Sequence, residues 1–163
     1  MGVETRNKAL GIVGLGRVGS EVAKRAAGFE MRLLAYDPFV APEYARHLGV
    51  ELVSLSKLLK ESDFITLHTP LAKGTKHLIG KAELTEMKPG VRLINAARGG
   101  LIDEEALLTA LKEGSVAGAA LDVLAQEPPG DTPLVTHPQV IVTPHLGGST
   151  AEAQSEVARE VAE

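Results

Sequence analysis

The chain has no cysteine among its 163 residues. That excludes disulfides and thiolate-held zinc, and it fits a protein kept in the cytoplasm. No apolar run reaches the roughly 18–20 residues that a membrane-spanning helix needs, and the N-terminus lacks the apolar stretch of a secretory signal. Basic residues are not in excess: the net charge is −4, which leaves no electrostatic footprint for nucleic acid. The five histidines show no metal-ligand spacing with neighbouring carboxylates, so no metal site is expected. Aromatics are only 3% of the chain, so a core has to be built from Val, Ile, Leu and Ala. Such a core suits buried parallel strands with helices on both faces.

The 44% of apolar residues is instead distributed in short runs, at 10–14, 33–37, 64–68, 92–95, 118–122 and 140–143, with a weaker one at 50–53. Most are continuous rather than alternating, as strands buried on both sides read. Helical segments lie between them. Val18, Val22, Ala23 and Ala26 share one face of a predicted helix over 17–29. Asp103 stands as an N-cap before a helix over 104–113, with acidic residues in its first turn and Gly114 beyond its end. Ser54 is placed to cap 55–60, and Ser149 with Glu152 has capping-box spacing for a final helix. Alternation of this kind predicts a single α/β domain over 1–163, a doubly wound parallel sheet of Rossmann type. Pro128-Pro129-Gly130 reads as a loop within it, and no repeat or linker divides the chain.

Gly14-Leu15-Gly16-Arg17-Val18-Gly19 is a G-x-G-x-x-G hexapeptide that follows an apolar strand and opens an amphipathic helix. The first glycine permits a tight turn, the second lets backbone approach a pyrophosphate, and the third lets helix and strand pack closely. Unpaired N–H groups around Arg17 and Val18 then attract phosphate. Asp37 ends the next strand, where a carboxylate accepts ribose hydroxyls and repels a 2′-phosphate. A hexapeptide alone is as often a simple turn. With strand, helix and acid in register it reads as a site for NAD rather than NADP.

Three later loops follow apolar strands, at the edge where open α/β sheets bind ligands. One carries Arg98 among small residues, and its fork suits a substrate carboxylate, although exposed loop arginines are commonly just solvated. Another carries Glu127 and a third His145, the natural proton carrier near neutral pH. Spacing alone does not decide whether Glu127 and His145 touch. His47, His77 and His137 read as surface or turn residues, and His68 as a packing or hydrogen-bonding residue at a strand end.

Taken together, Gly14 to Gly19, Tyr36-Asp37-Pro38, His68-Thr69-Pro70, residues 95–100, Asp122 through Glu127-Pro128 and residues 143–148 resemble the D-2-hydroxyacid dehydrogenase family along essentially the whole chain. The stretches 96–104, 144–150 and Glu152-Ala153-Gln154 are most similar to family members that act on 3-phosphoglycerate, the first step of serine biosynthesis. Hydroxypyruvate or glyoxylate reduction stays open, as does a corepressor-like module that senses NAD.

The resemblance implies roles position by position. Arg98 matches the arginine that holds the substrate carboxylate and C2 oxygen, His145 the acid/base, and Glu127 its carboxylate partner. Gly14, Gly16, Arg17, Val18 and Gly19 match the pyrophosphate site, and Asp37 the adenosine ribose site. Thr69, Ala96, Asp122, His145, Gly147 and Gly148 match residues around the nicotinamide half, with Asp122 expected at the carboxamide. Glu30, Leu124 and Gly148 depart from the commonest residues of the family (glycine, phenylalanine and alanine). The family's discontinuous substrate domain is expected to be absent, so the chain reads as an excised domain with little activity of its own. A small 2-hydroxyacid or 2-oxoacid and a second copy of the chain are its implied partners.

Overall fold

The computed structural model describes residues 2–153, 155 and 159. Its elements run β1 (Ala9–Val13), α1 (Arg17–Ala26), β2 (Arg32–Tyr36), α2 (Pro42–His47), β3 (Glu51–Leu52), α3 (Leu55–Glu61), β4 (Phe64–Leu67), α4 (Lys81–Glu86), β5 (Val91–Asn95), α5 (Glu104–Glu113), β6 (Val116–Leu121), α6 (Pro133–Thr136) and β7 (Val140–Val142). The seven strands are all parallel, in the order β3-β2-β1-β4-β5-β6-β7. Strand order reverses between β1 and β4, the switch point at which open sheets of this type bind nucleotides.

Each apolar run of the sequence is a strand, displaced by one or two residues at its ends. The centre is dry: Ile12, Leu34, Leu58, Ile65 and Leu67 have no exposed surface. Each contributes about 1.5–3 kcal/mol by leaving water. One layer is formed where α3, α4, α5 and α6 cover one sheet face, and the other where α1 and α2 cover Leu10, Ile12, Leu33 and Ala35. The second layer stops at β4. Beyond it the same face of β5–β7 carries no helix among the described residues, leaving a groove of about 360 Å³ beside Phe64, Ile94, Ala120 and Ile141. Ile141 is 69% exposed there. The cause is topological: the crossovers from β4 to β7 advance in one direction, and right-handed connections place all their helices on the opposite face.

Several local expectations need adjustment. The helix predicted over 17–29 ends at Ala26 and tightens into a 3₁₀ turn over Ala27–Phe29. Glu30 then takes φ 54°, the left-handed conformation, which explains why glycine suits this position. Val18 does not join the buried face of α1; it is 63% exposed in the first turn, beside the glycine loop. Gly19, Ser20, Ala23 and Ala26 form that face instead.

The predicted caps at Ser54 and Asp103 form. Ser54 accepts from Lys57 N, and Asp103 from the N–H groups of Glu105 and Ala106. Gly114 ends α5 with φ 77°. The helical turn after residue 150 is capped by Thr150, whose Oγ1 accepts from Ala153 N at 3.1 Å, not by Ser149. Gln154 lies outside the described residues.

Candidate active site

The glycine loop is built around three different constraints. Gly14 has φ 93°, and a Cβ there would lie 2.8 Å from the His68 carbonyl oxygen. At Gly19 a Cβ would lie 2.0 Å from the Gly14 carbonyl oxygen, so helix and turn meet only through hydrogen. Gly16 is the opposite case, since nothing stands within 4 Å of the Cβ position. That residue is also the N-cap of α1 and offers no side-chain acceptor, so the helix start presents its N–H groups outward. Arg17 and Val18 flank this opening, both exposed. An open cradle at a ten-residue helix, tight on its strand side only, fits a pyrophosphate.

Asp37 follows the end of β2. Its Oδ2 accepts from Leu15 N at 2.9 Å and its Oδ1 from Phe39 N at 2.9 Å. The carboxylate thereby fixes the turn of the glycine loop while each oxygen keeps further acceptor capacity for hydroxyls. Across the loop, the buried Thr69 Oγ1 has no hydrogen-bond partner among the described residues. His68 bonds to Thr66 Oγ1 at 3.0 Å, as its reading as a packing residue implied, and burial lowers its pKa.

At the ends of β5, β6 and β7 stand the other candidates. The glutamate and histidine meet: Glu127 Oε2 lies 2.6 Å from His145 Nδ1. Glu127 Oε1 accepts from Leu124 N at 3.2 Å. The His145 hydrogen bond, then that of Leu124, holds the Glu127 carboxyl below the usual range, so it stays ionised beside the ring. His145 itself has φ 55°, and its N–H donates to the Asp122 and Thr143 carbonyls, both at 3.0 Å. A cavity of about 460 Å³ opens at this pair, walled by Leu124, Pro128, Val135, Val142 and Pro144.

Asp122 does more than its matched position implied. Its Oδ1 accepts from Thr143 Oγ1 at 2.5 Å and from Leu146 N at 2.8 Å, and its Oδ2 accepts from Gly147 N at 2.9 Å. These bonds, Thr143 first, lower its pKa and pin the loop that carries His145. Gly147 sits against this carboxylate, with its Cβ position 3.2 Å from Oδ2. Gly148 has open space around it, so the alanine frequent in the family would fit equally well.

Arg98 touches neither member of the pair. Its Nη1 donates to the Ala97 carbonyl at 2.6 Å, and its side chain is exposed at the same sheet edge, near exposed Ala96. The residue that shapes this loop was missed by sequence reasoning. Asn95, only 2% exposed, donates from Nδ2 to the Arg98 carbonyl at 3.0 Å and accepts from Ala97 N at 3.1 Å. Its signal was an asparagine that closes an apolar strand and opens the matched stretch 95–100, with no role attached to it. Among the described residues no group of three His, Asp or Glu side chains could hold a metal, and no helix is long and apolar enough to cross a membrane.

Fold and site together define a parallel dinucleotide-binding domain with a histidine–carboxylate pair at its ligand edge. Comparison with known proteins gives the family. The D-isomer specific 2-hydroxyacid dehydrogenase, NAD binding domain, matches residues 1–147, and the chain belongs to that family. It is 56% identical over 163 residues to D-3-phosphoglycerate dehydrogenase of Bacillus subtilis, covering 100% of this chain and 31% of that protein. The Methanocaldococcus jannaschii D-3-phosphoglycerate dehydrogenase is 52% identical, over 99% of this chain and 31% of its own length. Among solved structures, a glyoxylate reductase from Paecilomyes thermophila superposes with a TM-score of 0.92 at 41% identity, covering 98% of this chain and 48% of that one. D-lactate dehydrogenase with NAD+ from Lactobacillus jensenii gives 0.88 at 38% identity, covering 98% and 52%. The chain thus spans about a third of the length of these curated relatives.

Proposed function

We propose that this chain is the NAD-binding and catalytic-residue-bearing part of an oxidoreductase acting at C2 of a D-2-hydroxyacid, with 3-phosphoglycerate as the preferred substrate. The observation that carries the reading is the 2.6 Å Glu127–His145 contact at the ligand edge of the sheet that also holds the glycine cradle. NAD, when bound, supplies the hydride acceptor. Oxidation of the alcohol removes a hydride from C2 and a proton from its hydroxyl. His145 takes that proton at Nε2, because Nδ1 is held by the ionised Glu127, which fixes the orientation of the ring. In reduction the same nitrogen returns the proton. Arg98, on its Asn95-shaped loop, supplies a planar fork for the substrate carboxylate. Gly14, Gly16, Arg17, Val18 and Gly19 bind the pyrophosphate, and Asp37 binds the adenosine ribose. Thr69, Ala96, Asp122, Gly147 and Gly148 border the nicotinamide.

The preference for phosphoglycerate rests on similarity to the two curated relatives; the structural likeness to a glyoxylate reductase supports glyoxylate as the second reading. We place the protein in the cytoplasm as a homodimer without a nucleic-acid partner; its acidic charge supports the last of these, and the face of β5–β7 that no helix covers among the described residues is open to a second copy. The family's substrate domain lies outside this chain in that reading, so turnover by the chain alone is slow.

Calorimetric titration with NADH and with NADPH tests the cofactor assignment. Saturable NADH binding with much weaker NADPH binding is expected, and equal affinities overturn the role of Asp37. Turnover of 3-phosphoglycerate and of glyoxylate by the longer protein, where this chain is part of one, separates the two substrates.

A further inference from the structure

The loops carrying Arg98 and Glu127 leave different strands, yet they are joined at two points that the mechanism above does not use. Gly99 lies directly on the backbone of Leu124, where a Cβ would fall 1.9 Å from the Leu124 carbonyl oxygen. One turn further on, the carboxylate of Glu104, the first residue of α5, accepts from Ala125 N at 2.6 Å. Leu124 and Ala125 are adjacent, and the Leu124 N–H is the donor that holds Glu127 Oε1. The other Glu127 oxygen meets His145. Leu124 is itself buried in the core, so the turn can move only as a piece.

We propose that Glu104 is a positioning residue for the Glu127–His145 pair. By anchoring Ala125 N from the first turn of α5, it sets the pitch of residues 123–127 and thereby the angle at which Glu127 meets the imidazole. Asp103 already caps α5 through the N–H groups of Glu105 and Ala106, so Glu104 is not needed as the cap and its carboxylate is committed across the gap. The Gly99 contact makes the coupling two-sided: the arginine loop and the glutamate loop hold one relative position. The proposal rests on the reading of Glu127 and His145 as the proton-transfer pair.

The test is proton NMR of the intact chain, following the downfield resonance of the His145 Nδ1–H held by Glu127, assigned by its loss in Glu127→Gln. Glu104→Gln keeps an acceptor oxygen and removes the charge from the first turn of α5; it is expected to retain the resonance. Glu104→Ala and Glu104→Asp, the second charged but too short to reach Ala125, are expected to lose it, with NADH binding little changed as evidence that the domain still folds. Retention of the signal in both Glu104→Ala and Glu104→Asp overturns the role of Glu104 alone. Absence of the signal in the unmodified chain, with His145 ring nitrogen shifts that Glu127→Gln leaves unchanged, overturns the Glu127–His145 pair on which it rests. Where exchange with water removes the proton signal, those nitrogen shifts give the same readout for the Glu104 variants. Loss in Glu104→Gln together with Glu104→Ala attributes the effect to helix charge and overturns the hydrogen-bond account.

Discussion

Asp37 and Leu15 are joined by a 2.9 Å hydrogen bond from the Leu15 N–H to Asp37 Oδ2. The residue matched to the ribose site therefore also braces the turn matched to the pyrophosphate, and in the proposed reading the two halves of the cofactor site share one carboxylate.

Replacing Asp37 by alanine removes both tasks at once. Hydrogen bonds to a charged group contribute about 1.5–3 kcal/mol each, so NADH affinity should fall about 10- to 100-fold. NADPH affinity should fall less or rise, because the charge that repels a 2′-phosphate is gone. Parallel calorimetric titrations give the ratio. An unchanged NADH affinity in the variant contradicts the assignment of this carboxylate.

The glycine loop makes a sharper pair of predictions, because two glycines in one hexapeptide should fail in different ways. Alanine at Gly16 meets nothing within 4 Å, and its φ of −74° is open to any residue. Its thermal midpoint should match the parent while NADH binding is lost to the methyl group in the cradle. Alanine at Gly19 drives a methyl group 2.0 Å from the Gly14 carbonyl oxygen. Overpacking of this kind costs about 1–3 kcal/mol, so that variant should unfold at lower temperature. A Gly16→Ala protein that binds NADH normally removes the pyrophosphate from this loop.

These contrasts also show how far the sequence was readable. The strands were legible because apolar runs buried on both sides carry their own signature, as Ile12 and Ile65 do. Helices α2, α4 and α6, of four to six residues, left no periodic stripe and went unread. Val18 fits the stripe of α1 but lies in its exposed first turn, a distinction that only the placement of the helix makes. Glu127 and His145 lie 18 positions apart, and their meeting depends on the adjacency of β6 and β7. Asn95 and Glu104 act on backbone N–H and carbonyl groups, which every residue possesses, so no residue type elsewhere marked them as partners.

His68 predicts a pH dependence with a definite sign. Burial lowers its pKa in the folded chain, below the ordinary histidine value of 6.5. The unfolded chain then binds the proton more readily, so stability falls as pH drops through the unfolded value and continues to fall until the folded group titrates. Above that window the group contributes no slope. Replacement by asparagine should flatten the urea-unfolding free energy between neutral and mildly acidic pH. An equal slope in both proteins would assign the acid sensitivity to another group.

Asp122 tests whether the loop bearing His145 is held or merely rests in place. Its carboxylate receives Thr143 Oγ1, Leu146 N and Gly147 N. Asparagine has the same shape but only one acceptor oxygen, so in either amide orientation an NH₂ group faces a backbone N–H. Both amides are exposed, so water takes the place of the lost acceptor and each lost bond costs about 0.5–1.5 kcal/mol, enough to open the loop about 2- to 10-fold more often. Amide hydrogen exchange at Leu146 and Gly147 should therefore accelerate in Asp122→Asn, while exchange in β1 and β4 stays slow. The pH behaviour follows from the same bonds. Because the folded pKa of Asp122 is lowered, its stabilising contribution is present above the unfolded carboxylate value and is lost as pH falls through the folded one. The asparagine variant has no such group, so its acid limb should be shallower than the parent's. Slow exchange at both amides in the variant would mean that the loop is kept by the His145 N–H bonds to the Asp122 and Thr143 carbonyls alone, and that the carboxylate is free to serve the cofactor.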